Sequence, residues 1–425
     1  MKIKTLILLL VVFLSNTLEA KRHTFSRLHK MPKSYEKDYY IWRFLQQKST
    51  TKSQAKKIVK ELKHVNSKLA KAYWKKTYKS IKLPKEPKLK VTKKQDNAWR
   101  QRSKAHKNFK MGLALLKQRK PFQAVNYLNI ANEAYVKPYD IDKSNFWLYL
   151  ATNNKEYIRK LLKSKQVNLY TLIATDTVKG TYPKTITSTP WRKKTKGFNI
   201  KDPIAWANIK EEMKTSDDLT SLANKYKSKE CVGIYCYIKS KEAFYTKTYF
   251  PMPYRNVLKY KSKKRQALIY AIARQESRFV PASVSRSFAL GMMQFMPFLI
   301  KDMAKKKKEK IDLDAIFNPY KALEYADSHL DYLTKYLKHP LFVAYAYNAG
   351  IGFTKKHLLN RHNFRKGAYE PYMSMETMRN QEAKEYGKKV FANYIIYMNK
   401  LGVSTRIFPL LKVLATPSKT DKFRR

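Results

Sequence analysis

A glutamate stands at the end of an apolar helical stripe in the segment ALIYAIARQESRFVPASVSRSFALGMMQFMP, residues 267–297. Leu268, Ile272 and Glu276 fall at i, i+4 and i+8, and Ile269 and Ala273 join the same face. Such a stripe turns Glu276 towards a core, or towards a cleft cut into one. A partly desolvated carboxyl favours its neutral form, so its pKa rises. A neutral carboxylic acid near pH 7 can donate a proton to a leaving oxygen. The competing reading is structural: a helix-end carboxylate paired with Arg274 or Arg278, which periodicity alone favours. Pro281 stops the helix, and a loop rich in Ser and Ala leads to Gly291-Met292-Met293-Gln294.

Three more groups could act with that carboxyl. In the Gly-Met-Met-Gln run, Gly291 lets backbone approach a ligand closely. Met293 offers a flexible apolar surface, and Gln294 both donates and accepts hydrogen bonds. Ala346-Tyr347-Asn348-Ala349-Gly350 ends a short apolar helix with Gly350 in the stop position. Taken singly, these residues read as core methionines, a core tyrosine and a cap.

Together, Glu276-Ser277, Gly291 to Gln294 with Met296-Pro297, and Ala346 to Gly350 resemble the ordered signature of the soluble lytic murein transglycosylases. The catalytic domain of that family is related in fold to goose-type lysozyme. The resemblance implies a carbon–oxygen lyase acting on peptidoglycan, at the β-1,4 bond between N-acetylmuramic acid and N-acetylglucosamine. Glu276 would be the single general acid and base, first protonating the bridging oxygen. The substrate's acetamido oxygen would attack its own anomeric carbon, and Glu276 would then take the proton from O6 as a 1,6-anhydro ring closes. Substrate-assisted routes of this kind need no second carboxylate; Asp302, Asp312 and Asp314 lie outside the motifs. By the same resemblance Tyr347 faces Glu276, and Asn348 binds an acetamido group. Ser277 supports the glutamate or caps its helix, and Ser285 matches a family serine. Gly291, Met293 and Gln294 line the cleft floor. Glu382, Tyr386 and Val390 look like a fourth motif, with Tyr386 reaching back to Glu276. The chain departs from the pattern at Met292 for the usual Leu, at Phe288 where Gly is typical, and at Ala383-Lys384-Glu385 for Thr-Arg-Asn. Phe288 is expected to send its loop along another path. A hydrolytic muramidase on the same fold is the near alternative, and a non-catalytic exported helical protein that binds polyanions is the remote one.

The elements that must hold these groups are helical. Glycine is scarce at 10 residues, and no run reads as a string of hairpins. The fold class expected is all-α, and the resemblance implies an N-terminal α-helical superhelix over 21–250, then a lysozyme-like α domain with a small β part over 251–405. Helical spacing marks Thr51 to Val65, Asn66 to Tyr78, a hairpin over Asn97 to Ala134, and further short helices up to Tyr245. Phe250-Pro251-Met252-Pro253-Tyr254 marks the domain entry. Gln381 to Leu401 forms a final long helix, and residues 406–425 form a basic tail expected to fray.

Lys2 and Lys4, the apolar run Leu6 to Leu14 and the small-residue end Leu18-Glu19-Ala20 read as a signal peptide over 1–20. The mature protein is therefore expected in the periplasm, with no transmembrane anchor and no nucleic-acid partner. Its formal charge of +59, from 90 Lys+Arg against 31 Asp+Glu, calls for anionic surroundings or reflects a chain-wide lysine bias. Peptidoglycan glycan strands are the expected partner, with peripheral contact to the anionic envelope and other cell-wall enzymes as further candidates. Cys231 and Cys236 are the only cysteines, and in an oxidising compartment they are a disulfide candidate. Neither a metal site nor a cofactor is expected, since no ligand cluster or phosphate-cradling Gly loop is present.

Overall fold

The computed structural model describes residues 24–81, 93–187, 195 and 197–424. The expected signal peptide over 1–20 lies outside the described residues. The architecture is α-helical, as expected: the described residues form helices throughout, with β structure limited to isolated bridges such as Ile186–Tyr249 and Leu290–Phe295. No helix among the described residues is long and apolar enough to cross a membrane. Contacts divide the chain into two compact units, neither of them continuous in sequence.

One unit combines residues 1–89, 195–222 and 280–322. Two of its helices start on side-chain caps: Ser34 accepts from the Lys37 amide ahead of Tyr35–Gln46, and Asn66 accepts from the Leu69 amide ahead of Ser67–Thr77. Each such cap satisfies an amide the helix itself leaves open and contributes on the order of 1 kcal/mol. The Tyr35–Gln46 helix is buried on nearly every side, Tyr39, Ile41 and Leu45 included. On the same helix the Arg43 guanidinium donates to Asp312 at 2.8 Å and to Asp314 at 3.2 Å, and the Tyr39 hydroxyl donates to Asp314 at 2.7 Å. Asp312 and Asp314, outside the motifs in the sequence, are thus taken up in a structural ion-pair cluster.

The other unit combines residues 90–194, 223–279 and 323–425. It contains the hairpin Lys93–Lys117 and Pro121–Ala134, followed by Pro138–Thr152, Lys155–Lys163 and Leu169–Thr177. At its centre Gln381–Lys400 packs against both Lys263–Glu276 and Pro340–Ala349. Tyr270 and Tyr397 stack at 5.2 Å between ring centres, with Phe250 against Tyr397 at 5.1 Å. Each of these fully buried rings contributes about 2–3 kcal/mol of transfer free energy.

Two expectations are corrected here. The basic C-terminal segment is packed, not frayed: Ile407–Lys412 forms a helix, and Ile407 and Leu414 are buried. Arg424 is buried too; it pairs with Asp421 at 2.8 Å and donates to the Phe364 carbonyl at 2.8 Å. Its basic residues include one that is spent internally, which composition does not reveal. Cys231 and Cys236 are two buried thiols, not a disulfide. The helix Val232–Glu242 begins between them. A five-residue separation on or beside a helix turns two side chains roughly 140° apart, and Cys236 faces Val232 and Tyr249.

Candidate active site

Glu276 is the last residue of the helix Lys263–Glu276. The stripe below it behaves as its periodicity requires, with Ile269, Ile272 and Ala273 buried. Ser277 caps the end, its amide bonded to the Ala273 carbonyl at 3.2 Å. Arg278 and Phe279 then take left-handed backbone, with φ of 54° and 67°. The chain has therefore already turned before Pro281, and the proline is not what stops the helix.

The Glu276 carboxyl is partly buried. Its Oε1 accepts a hydrogen bond from the Tyr386 hydroxyl at 2.7 Å. Burial raises its pKa to about 8; the Tyr386 hydroxyl pulls downward and the charge of Glu382 adds to the rise. At neutral pH the group is mainly a neutral acid. The structural pairing is not formed. Arg274 donates to the Tyr249 carbonyl at 2.8 Å and to Asn393 at 2.7 Å, with its guanidinium 3.8 Å above the Phe250 ring. Arg278 lies over the rings of Tyr237 and Tyr245.

Tyr386 and Tyr347 come to the carboxyl from two packed helices, Gln381–Lys400 and Pro340–Ala349. Burial holds both phenols well above their usual pKa, and the Glu276 charge adds to the effect on each. Both therefore remain neutral donors. Asn348 donates to Glu382 at 3.4 Å. The close packing of the two helices depends on Gly387. A Cβ there would stand 2.1 Å from the Tyr345 ring, well inside contact distance. The next residue, Lys388, is buried between Glu376 at 2.6 Å and Glu385 at 3.0 Å. The Tyr170 hydroxyl also donates to Glu376 at 2.7 Å, and the Tyr139 hydroxyl to Glu385 at 2.7 Å. Burial alone would lower the Lys388 pKa, but the two carboxylates outweigh it and hold the ammonium charged. This network fixes the stretch of helix that carries Tyr386.

Ser285, Gly291, Met293 and Gln294 belong to the other unit. Ser285 and Ala289 close a tight loop: the Ser285 hydroxyl accepts from the Ala289 amide at 2.8 Å. Gly291 has φ of 78°, and a Cβ there would meet the Ile316 carbonyl at 2.6 Å, so only glycine fits. Gln294 folds back on its own loop, donating to the Gly291 carbonyl at 2.8 Å and the Ser283 carbonyl at 3.2 Å. Its amide oxygen is not used in those bonds. Phe288 has φ of 61° and is buried, its ring 5.5 Å from Trp42 and 5.9 Å from Tyr39.

Residues 254–369 match the family model described as the transglycosylase SLT domain. No curated protein matches the chain. Among solved structures, an inactive mutant of the lytic transglycosylase Slt from Pseudomonas aeruginosa is similar at 15% identity and a TM-score of 0.54, covering 96% of this chain and 69% of that one. A 70-kDa soluble lytic transglycosylase in complex with bulgecin A is similar at 19% identity and a TM-score of 0.51, covering 88% of this chain and 63% of that one. The likeness supports the all-α fold expected from the sequence.

Of the residues singled out in the sequence, the structure brings Glu276, Ser277, Tyr347, Asn348, Glu382 and Tyr386 together within one unit. The reach of Tyr386 to Glu276 is as expected. Met293 is fully buried, so the sugar-facing contact expected of it gives way to core filling. The Phe288 backbone takes the left-handed conformation that glycine favours. That conformation costs a non-glycine residue about 1–2 kcal/mol, which burial of the ring, worth about 2–3 kcal/mol, offsets. Sequence reasoning missed Gly387, Tyr345 and the Lys388 network. An isolated glycine inside a strong helical pattern, in a chain with few glycines, is the signal that could have found the first.

Proposed function

We propose that this protein is a lytic transglycosylase of peptidoglycan that uses Glu276 as its single acid and base. The observation that carries this reading is the partly buried Glu276 carboxyl, raised to about 8 and bonded by Tyr386. In the first step the neutral acid gives its proton to the oxygen bridging N-acetylmuramic acid and N-acetylglucosamine, and the bond to the anomeric carbon breaks. The substrate's acetamido oxygen stabilises that carbon by attack from the same sugar. The carboxylate that remains, held by the Tyr386 hydroxyl, then removes the O6 proton, and O6 closes the 1,6-anhydro ring. One carboxyl thus ends in the state in which it began, and water is not consumed. Tyr347 shields the carboxyl, Asn348 binds an acetamido group, and Ser285, Gly291 and Gln294 contact the sugar.

A hydrolytic muramidase on the same fold is the second reading. It draws on Glu382, the carboxylate whose charge acts on Glu276. Its exposure and its bond to Asn348 favour a positioning role over activation of water.

We further place the protein in the periplasm, exported by residues 1–20. The helical segment 21–250 binds glycan strands alongside a catalytic segment 251–405, and the basic surface meets the anionic envelope. The test of the catalytic reading is Glu276→Gln assayed on purified sacculi. Turnover should be lost while the helical circular-dichroism spectrum is retained. Undiminished turnover would overturn the reading.

A further inference from the structure

The tip of the loop that carries Ser285 and leads to Gln294 is held from three sides within its own unit. The ring of Phe288 is wedged against Trp42 and Tyr39 of the helix Tyr35–Gln46. The Asn66 side chain donates to the Arg286 carbonyl at 2.8 Å, and the Lys68 ammonium donates to the Ser287 carbonyl at 2.9 Å. The Arg286 guanidinium lies 6.0 Å from the Tyr35 ring centre and 3.4 Å from His64 Nδ1. Two consecutive carbonyls and the next side chain are thus bound by helices more than 200 residues away in sequence.

The hold passes on through unbroken hydrogen bonds. The Phe288 amide donates to the Ser285 carbonyl at 3.0 Å, and the Ala289 amide donates to the Ser285 hydroxyl at 2.8 Å. Leu290 and Phe295 exchange backbone bonds at 2.9 and 3.0 Å. The Gly291 amide donates to the Ser283 carbonyl at 2.9 Å, the same carbonyl that receives the Gln294 side chain. A shift at Phe288 therefore displaces both Ser285 and Gln294. The strained φ at Phe288 sharpens the point: a residue that dislikes this conformation stays in it only because its surroundings over-determine it.

We propose that Phe288 is a positioning residue for substrate binding, and that the N-terminal helices act through it as a fixed clamp on the sugar-binding loop. A glycine at this place would take the turn without strain but would leave the loop free to move. The phenylalanine converts an adaptable turn into a pre-ordered one, so less ordering is required when a glycan binds. The proposal rests on the transglycosylase reading for the identity of the ligand.

The experiment measures kcat and KM on soluble glycan strands for wild type, Phe288→Gly, the double variant Asn66→Ala with Lys68→Ala, and Leu28→Ala. Leu28 is a buried residue of the same unit and makes none of the loop contacts named above; its truncation lowers stability while Phe288, Asn66 and Lys68 are left in place. Phe288→Gly should raise KM about tenfold with kcat within twofold, and the double variant should raise KM about threefold. Leu28→Ala should lower the melting temperature and leave KM unchanged. Strand binding by Glu276→Gln with and without Phe288→Gly should show the same tenfold loss without turnover. An unmoved KM in the clamp variants, or a KM shift in Leu28→Ala of equal size, overturns the clamp. Should Phe288→Gly fail to fold, the double variant decides. Absence of wild-type turnover would count against the proposed function instead, so the two failures are distinguishable.

Discussion

Tyr386→Phe removes one hydroxyl and nothing else, so its effect can be worked from the single bond that is lost. That hydroxyl donates to Glu276 Oε1 at 2.7 Å and opposes the rise in pKa that burial imposes. A hydrogen bond to a charged acceptor contributes about 1.5–3 kcal/mol, which corresponds to about one to two pKa units. Without it the acid should titrate well above its present value of about 8. The active form in the first step is the protonated acid, so wild-type kcat/KM should fall as pH rises through about 8. In Tyr386→Phe this alkaline limb should move up by at least one unit. The carboxylate formed when the leaving oxygen is protonated also loses its donor, so kcat near pH 7 should drop roughly ten- to hundredfold. The assay is release of soluble muropeptides from glycan strands across pH 5 to 10. A limb that stays in place, or moves to lower pH, refutes the reasoning.

Glu276→Gln should also change stability with pH. An acid whose folded pKa is raised contributes stability that is fully present below its unfolded value near 4.5 and is lost as pH rises through about 8. The variant should therefore melt with wild type at pH 4 and above it at pH 9 by differential scanning calorimetry; a gap that closes towards pH 9 would refute this. Gly387→Ala would gain up to about 1 kcal/mol of helix propensity. It would lose about 1–3 kcal/mol or more to the Tyr345 ring, 2.1 Å from the new Cβ. A lower melting temperature and a lower kcat are expected, and a rise in either contradicts the packing account. With a formal charge of +59, turnover of sacculi should decline steeply between 0.05 and 0.5 M salt; a flat response removes the electrostatic role.

The parts of this molecule that were legible in the sequence are those that local pattern governs. Helices such as Gln381–Lys400 and Pro340–Ala349 were marked by spacing and, for the second, the Gly350 stop. The face of Glu276 followed from Leu268, Ile272 and Ala273, and its meeting with Tyr386 came from a resemblance whose residues stand 110 positions apart. The parts that were not legible depend on what meets what in space. Nothing in a basic C-terminal stretch shows that Arg424 pairs with Asp421 under Phe364, and nothing at Lys388 shows two buried carboxylates waiting for it. Met293 sits in a binding-type motif yet fills the core, because a motif does not say which of its side chains faces inward. Phe288 marked a departure, but only the rings of Tyr39 and Trp42 explain why a phenylalanine can hold a glycine-like backbone.

The central claim is that one carboxyl performs both proton transfers and that O6, not water, closes the reaction. Digestion of purified sacculi in oxygen-18 water, followed by mass spectrometry of the released muropeptides, tests it directly. The account predicts 1,6-anhydromuramyl ends carrying no heavy oxygen. Reducing muramyl ends labelled with oxygen-18 at the anomeric carbon would contradict it.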